Sequence, residues 1–98
     1  MWMNHTIARV DPVNVDQGVA LLDTPEVRAA FNEAPGFHSL FLVNNLDDPG
    51  EMISITVWDS AEEGQAFYSS PKYRQIFGSI AHLLTASPQR KFFEVLIK

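Results

Sequence analysis

The run Ile53-Ser54-Ile55-Thr56-Val57-Trp58-Asp59-Ser60 is where residue types and spacing first suggest chemistry. Its alternation is that of a strand, with Ile53, Ile55 and Val57 on one face and Ser54, Thr56 and Trp58 on the other. An indole beside two hydroxyls makes a flat apolar wall with hydrogen-bonding groups at its edge. Such a wall suits a ligand pocket. Hydroxyls directly beneath helices are costly in a dry core and make more sense beside water or a ligand. Against this stands a plain alternative, a core tryptophan whose N–H bonds a carbonyl. The sequence leaves both open.

Other residues with chemical capacity are scattered. His5, His38 and His82 match no metal-ligand spacing, and no carboxylate–histidine pair stands at helical i, i+4 spacing. No cysteine is present, so disulfides, thiolate catalysis and cysteine metal sites are excluded. Neither a metal nor a cofactor is expected. His38 reads as structural, and His82 as a solvated or capping residue near a helix end. Tyr68, Tyr73 and Arg74 surround Ser70-Pro71. Tyr73 fits an apolar stripe and either lends its hydroxyl to a cavity or is a core residue with a polar tip. Arg74 has the charge to orient a phenolate or carboxylate, but its neighbours suggest surface. Helix-start positions account for Glu62 and Glu63.

The elements that must position these residues follow from local signals. Residues 2–10 alternate weakly as a strand. Asp11-Pro12 and Thr24-Pro25 are helix starts and Pro35-Gly36 a stop, which gives one helical segment over 12–34 interrupted near Thr24. Residues 37–45 read as a strand, 46–51 as a turn built on Asp47, Asp48, Pro49 and Gly50, and 51–58 as the antiparallel partner strand. Ser60-Ala61-Glu62-Glu63 is a capping box opening a helix to about Ser69. Ser70-Pro71 opens another, with Tyr73, Ile76, Phe77, Ile80, Leu83 and Leu84 as its apolar stripe, ended by Ser87-Pro88. Residues 90–97 form the last strand. The order β-α-β-β-α-β predicts a ferredoxin-like α+β fold, with a four-stranded antiparallel sheet and helices on one face.

At 98 residues this is one domain with a thin core. Twelve acidic against seven basic residues, net −5, argue against a nucleic-acid surface and against docking on an anionic membrane. No leader or spanning segment is evident, so a cytoplasmic protein is expected. The Asn4-His5-Thr6 glycosylation pattern reads as chance. Both faces of the central hairpin are apolar: Leu40 and Leu42 on one, Phe37, Phe41 and Val43 on the other. Helices cover one face. The other would be an exposed patch that monomers rarely tolerate, which predicts a homodimer through Ile53, Ile55, Val57, Leu40 and Leu42.

Pro35-Gly36-Phe37 at the start of the second strand, Trp58-Asp59-Ser60 at the end of the third and the Ser70-Pro71 break resemble the antibiotic biosynthesis monooxygenase domain of the dimeric α+β barrel superfamily. The resemblance covers residues 35–77 well and the rest by element order. It implies a homodimer with a ligand pocket in each subunit between the sheet and its own helices. It also implies oxidation of polycyclic phenols by O₂ without a cofactor, the protein supplying binding, deprotonation and charge stabilisation. The pocket tryptophan of those members matches Trp58. Their asparagine falls at Ser54, their histidine at Val43 and their tyrosine at Gly64, so most polar partners are replaced. In haem-degrading relatives the iron-ligating histidine falls near Phe77, the tryptophan at Phe67 and the asparagine near Thr6. His82 lies about 140° round the helix from Phe77 and is no easy substitute.

The expected function is that of a small cofactor-free oxygenase acting on an aromatic or quinol-like compound. Trp58 and Ser54 are the catalytic candidates. The binding set comprises Trp58, Ser54, Thr56, Phe37, Phe41, Phe67, Tyr73, Phe77, Asn4 and Thr6. The alternatives are a non-catalytic ligand-binding or stress-linked dimer and a haem-binding protein.

Overall fold

Thr24, Ser60 and Ser70 open three of the four α-helices of the computed structural model, which describes residues 1–98. Each hydroxyl accepts from the N–H three residues on, Val27, Glu63 and Tyr73 respectively, at 3.2 Å. Ser60 also donates to Glu63 Oε1 at 3.0 Å, so that carboxylate engages the Ser60 hydroxyl. The helices are α1 (Val15–Leu22), preceded by a 3₁₀ turn at Pro12–Asn14, α2 (Pro25–Asn32), α3 (Ala61–Tyr68) and α4 (Pro71–Ile80), followed by a 3₁₀ turn at Ala81–Leu83. The expected break at Thr24 separates α1 from α2. The last helix stops earlier than its apolar stripe, which runs on through the 3₁₀ turn.

The strands are β1 (Trp2–Arg9), β2 (Phe37–Asn45), β3 (Asp48–Trp58) and β4 (Gln89–Glu94). They form one antiparallel sheet in the order β2-β3-β1-β4, and the fold is the α+β arrangement read from the sequence. The β2–β3 turn is shorter than expected, because β3 already begins at Asp48. A register shift between Asn44 and Asn45 accommodates Pro49, and Asn44 Nδ2 donates to the carbonyls of Pro49 and Glu51. Gly36 has the one positive φ, +80°, and a Cβ there would stand 2.5 Å from the Glu63 carboxyl carbon, so the α2–β2 turn requires glycine.

Register puts side chains of four strands into rows across the helix-covered face. One row is Phe37–Trp58–Trp2–Glu94, the next Leu40–Thr56–Asn4–Phe92, the next Leu42–Ser54–Thr6–Arg90. The sequence assignment of β2 is corrected here. Phe37 pairs with Trp58 but Ser39 with Val57, so a bulge at His38 reverses the parity of everything after it. Leu40 and Leu42 therefore lie under the helices with Phe37, not on the open face assigned to them as a dimer contact. Phe41 lies on the open face, 58% exposed, and not in the binding set. Ile53, Ile55 and Val57 share that open face with Phe41 and Val43, as the β3 alternation requires.

The core under the helices is in two pieces. Trp2, Val27, Phe31, Trp58 and Phe67 form one, and Val10, Met52 and Leu83 the other. No helix is long and apolar enough to cross a membrane.

Candidate functional site

A cavity of about 340 Å³ occupies the seam between the two core clusters. That is room for a small ring system. Fifteen of its 20 lining residues are hydrophobic. The floor is sheet: Thr6 and Ala8 from β1, Ser54 and Met52 from β3, Leu40 and Leu42 from β2. The roof is helix, with Val27 and Phe31 from α2 and Tyr73, Ile76 and Phe77 from α4. The cavity reaches solvent at Asp23 and Arg28, whose half-exposed side chains pair across the α1–α2 break, Arg28 Nε donating to Asp23 Oδ1 at 2.9 Å.

Thr6, Ser54, Tyr73 and Phe77 thus meet at one cavity, as the sequence reading grouped them. Trp58 does not join them. It has no exposed surface and sits within 5.3–6.1 Å, centroid to centroid, of Phe37, Phe67 and Tyr68. Its Nε1 donates to Thr56 Oγ1 at 3.0 Å, so the indole is satisfied within its own strand rather than by a carbonyl or a ligand. The space that a side chain at position 64 would enter is filled by Trp2. A Cβ on Gly64 would stand 2.1 Å from Trp2 Cζ3 and 3.1 Å from Trp58 Cγ, so the missing tyrosine at position 64 and the inward Trp2 are one packing arrangement. Thr56, Asn4 and Phe67 are likewise buried beside the cavity rather than on its wall, and Phe37 packs edge-on against Trp58.

Between the aromatic cluster and the cavity runs a polar layer. Asn4 Nδ2 donates to Thr6 Oγ1 at 3.0 Å, while Thr56 Oγ1 and the Tyr68 hydroxyl share a hydrogen bond of 2.7 Å. Asn4 Oδ1 alone is buried without a partner. Full burial also removes the Asn4 amide from any glycosylating surface. Tyr68 and Tyr73 meet edge to face at 4.6 Å. Burial pushes both hydroxyls above the ordinary tyrosine range; Thr56 and Asn4 oppose this at Tyr68, and Arg90 and Thr6 oppose it at Tyr73. At neutral pH both are therefore hydrogen-bond donors and not bases.

Arg90 is the residue the sequence reading missed. Its Nη2 donates to the Tyr73 hydroxyl at 2.9 Å, and its guanidinium lies 5.2 and 5.0 Å from the Tyr68 and Tyr73 ring centres. Only the β1–β4 register, which sets Arg90 opposite Thr6, brings it there. Arg74 is exposed on α4. His38 is half-exposed and pairs with Asp59, while His5 lies on the open face against Phe93. No histidine lines the cavity, so it offers haem iron no imidazole ligand. No cluster of three His, Asp or Glu side chains stands close enough to hold a metal ion.

The sequence profile described as antibiotic biosynthesis monooxygenase matches residues 6–78. Among solved structures, a protein from Caulobacter crescentus CB15, provisionally named an antibiotic biosynthesis monooxygenase, superposes with a TM-score of 0.83 at 10% identity, covering 98% of this chain and 90% of that one. One of the same provisional name from Chloroflexus aurantiacus gives 0.75 at 21% identity, covering 99% and 94%. A third, Rv0793 from Mycobacterium tuberculosis, gives 0.79 at 20% identity, covering 99% and 96%. No curated protein matches significantly. At these identities the structures speak for the fold alone, while the profile spans most of the sequence: the chain belongs to the antibiotic biosynthesis monooxygenase family.

Proposed function

We propose that this chain is a cofactor-free monooxygenase that binds a small aromatic or quinol-like compound in the seam cavity, with its ring between Leu42 and Phe77 and an oxygen substituent toward Thr6, Ser54 and Tyr73. The observation that carries this reading is an apolar cavity of about 340 Å³ with three hydroxyl side chains on its wall. A phenolate carries its own electrons to O₂: one oxygen atom enters the ring, the other leaves as water with the displaced ring hydrogen and one proton from solvent, and a quinone results. The protein would exclude bulk water and stabilise the ionised ring oxygen. Oxygen uptake with a panel of naphthols and quinols tests it. Uptake should occur with the native chain and cease in Leu42→Trp, which fills the cavity. No uptake across the panel would sink the reading.

The open sheet face supports a dimer as part of the same proposal. Phe41, Val43, Ile53, Ile55, Val57 and Phe93 present an apolar surface, with Phe41, Val43 and Phe93 at least 40% exposed. A second reading, a binding protein without catalysis, is favoured by one feature. Besides Tyr73, the ionisable groups on the wall are Asp23 and Arg28, which are paired with each other. The reaction above accordingly needs a substrate that arrives ionised.

A further inference from the structure

Arg90 lies outside the cavity wall, yet every contact it makes bears on a residue that is on it or behind it. It reaches the Tyr73 hydroxyl at 2.9 Å from the cavity's far side and lies over the faces of Tyr68 and Tyr73 at once. A tyrosine hydroxyl has one proton and two lone pairs, and a guanidinium has only donors. Once Arg90 occupies a lone pair of Tyr73, the hydroxyl proton must point elsewhere. Tyr73 and Thr6 line the same cavity, and the Thr6 oxygen already accepts from Asn4 Nδ2 at 3.0 Å, so the open side of the Tyr73 hydroxyl is the cavity itself. Arg90 also stands in the same cross-sheet row as Thr6 and Ser54, so its positive charge is adjacent to the hydroxyl end of the cavity. The one cation on the wall, Arg28, is paired with Asp23.

We propose that Arg90 is a positioning residue acting through Tyr73: it turns the Tyr73 proton into the cavity and makes that end select the ionised form of a ligand oxygen over the neutral form. The ligand class is a compact apolar ring bearing an acidic hydroxyl. The inference rests on reading the cavity as the binding site, and goes beyond it by assigning a preference for one protonation state to a residue that does not touch the ligand. The planar fork matters as well as the charge, because the same guanidinium both stacks and donates.

The probe is 4-nitrophenol, whose ionised form is coloured, titrated with pH in the presence of saturating protein. Native protein should lower the probe's apparent pKa by about one unit, which is about a tenfold preference for phenolate over phenol. Tyr73→Phe and Arg90→Gln should each abolish most of that shift. The double variant should be no worse than Tyr73→Phe alone, and a further loss would overturn the positioning role by showing that the Arg90 charge acts on the ligand directly. Arg90→Lys, which keeps charge without the fork, should restore only part. If Arg90→Gln weakens phenol and phenolate equally, or leaves the shift intact, the positioning role is overturned while the cavity reading stands. If native protein shows no saturable binding of the probe, both fall. Arg90 is exposed on an edge strand, and circular dichroism with Tyr73→Phe as a second variant separates loss of the shift from loss of fold.

Discussion

Replacing Gly64 by alanine puts a methyl group where the Trp2 ring already is. The new Cβ would lie 2.1 Å from Trp2 Cζ3 and 2.4 Å from Cε3, against roughly 3.5 Å for ordinary carbon contact. The ring cannot simply swing away: Trp2 is buried, stacks on Phe92 at 5.2 Å, and belongs to the cluster around Trp58. Overpacking of this kind costs about 1–3 kcal/mol. Glycine to alanine inside a helix returns about 1 kcal/mol. The net expectation is a loss of up to about 2 kcal/mol, and a Tm fall of up to roughly 15 °C for a domain of this size. Thermal unfolding by circular dichroism measures it. The decisive control is the same substitution in a Trp2→Ala background, where the clash is gone and Gly64→Ala should be neutral or stabilising by up to about 1 kcal/mol. An equal penalty in both backgrounds would refute the argument that Trp2 closes the space beside Trp58.

Three further outcomes follow from the packing and the charges. Trp58→Ala should cost about 3–5 kcal/mol in urea unfolding, as a fully buried core tryptophan does, and a loss under 1 kcal/mol would mean the indole faces open space. Tyr68 and Tyr73 are the chain's only tyrosines, so tyrosinate absorbance reports them alone; both have folded pKa values raised by burial, so the stability they lend is complete below the unfolded value of about 10 and lost as pH rises beyond it. Tyrosinate should therefore appear above pH 10, with or after unfolding, and a native transition at or below 10 would contradict the burial. Ile55→Asp should shift sedimentation from dimer to monomer without abolishing binding of a ligand in the cavity, whereas an unchanged sedimentation coefficient would remove the open face as the interface.

Element order, helix starts and the β3 alternation were legible because each rests on local chemistry. Hydroxyls cap the next turn, proline fits the first helical position, and a period of two splits Ile55 from Thr56. The faces of β2 were not legible, since one bulged residue at His38 reverses parity and leaves no sequence mark of its own. Trp58 was misplaced for a related reason. Whether a strand-ending indole meets a ligand or a neighbour depends on what Gly64 admits, and the occupant is Trp2, from the other end of the chain. Arg90 was invisible because its importance comes entirely from pairing with Thr6 across β1 and β4, a contact between residues 84 positions apart.

On the proposed function, a ligand binds at the level of Thr6, Ser54 and Tyr73 and not at Trp58. Titration of ¹⁵N-labelled protein with 1-naphthol tests this directly, because every lining amide and both indole N–H groups report separately. Saturable shifts should centre on Thr6, Leu42, Ser54 and Phe77, with the Trp58 indole, held by Thr56, left in place. Shifts centred on the Trp58 indole with those four amides silent, or no saturable shift at all, would contradict it.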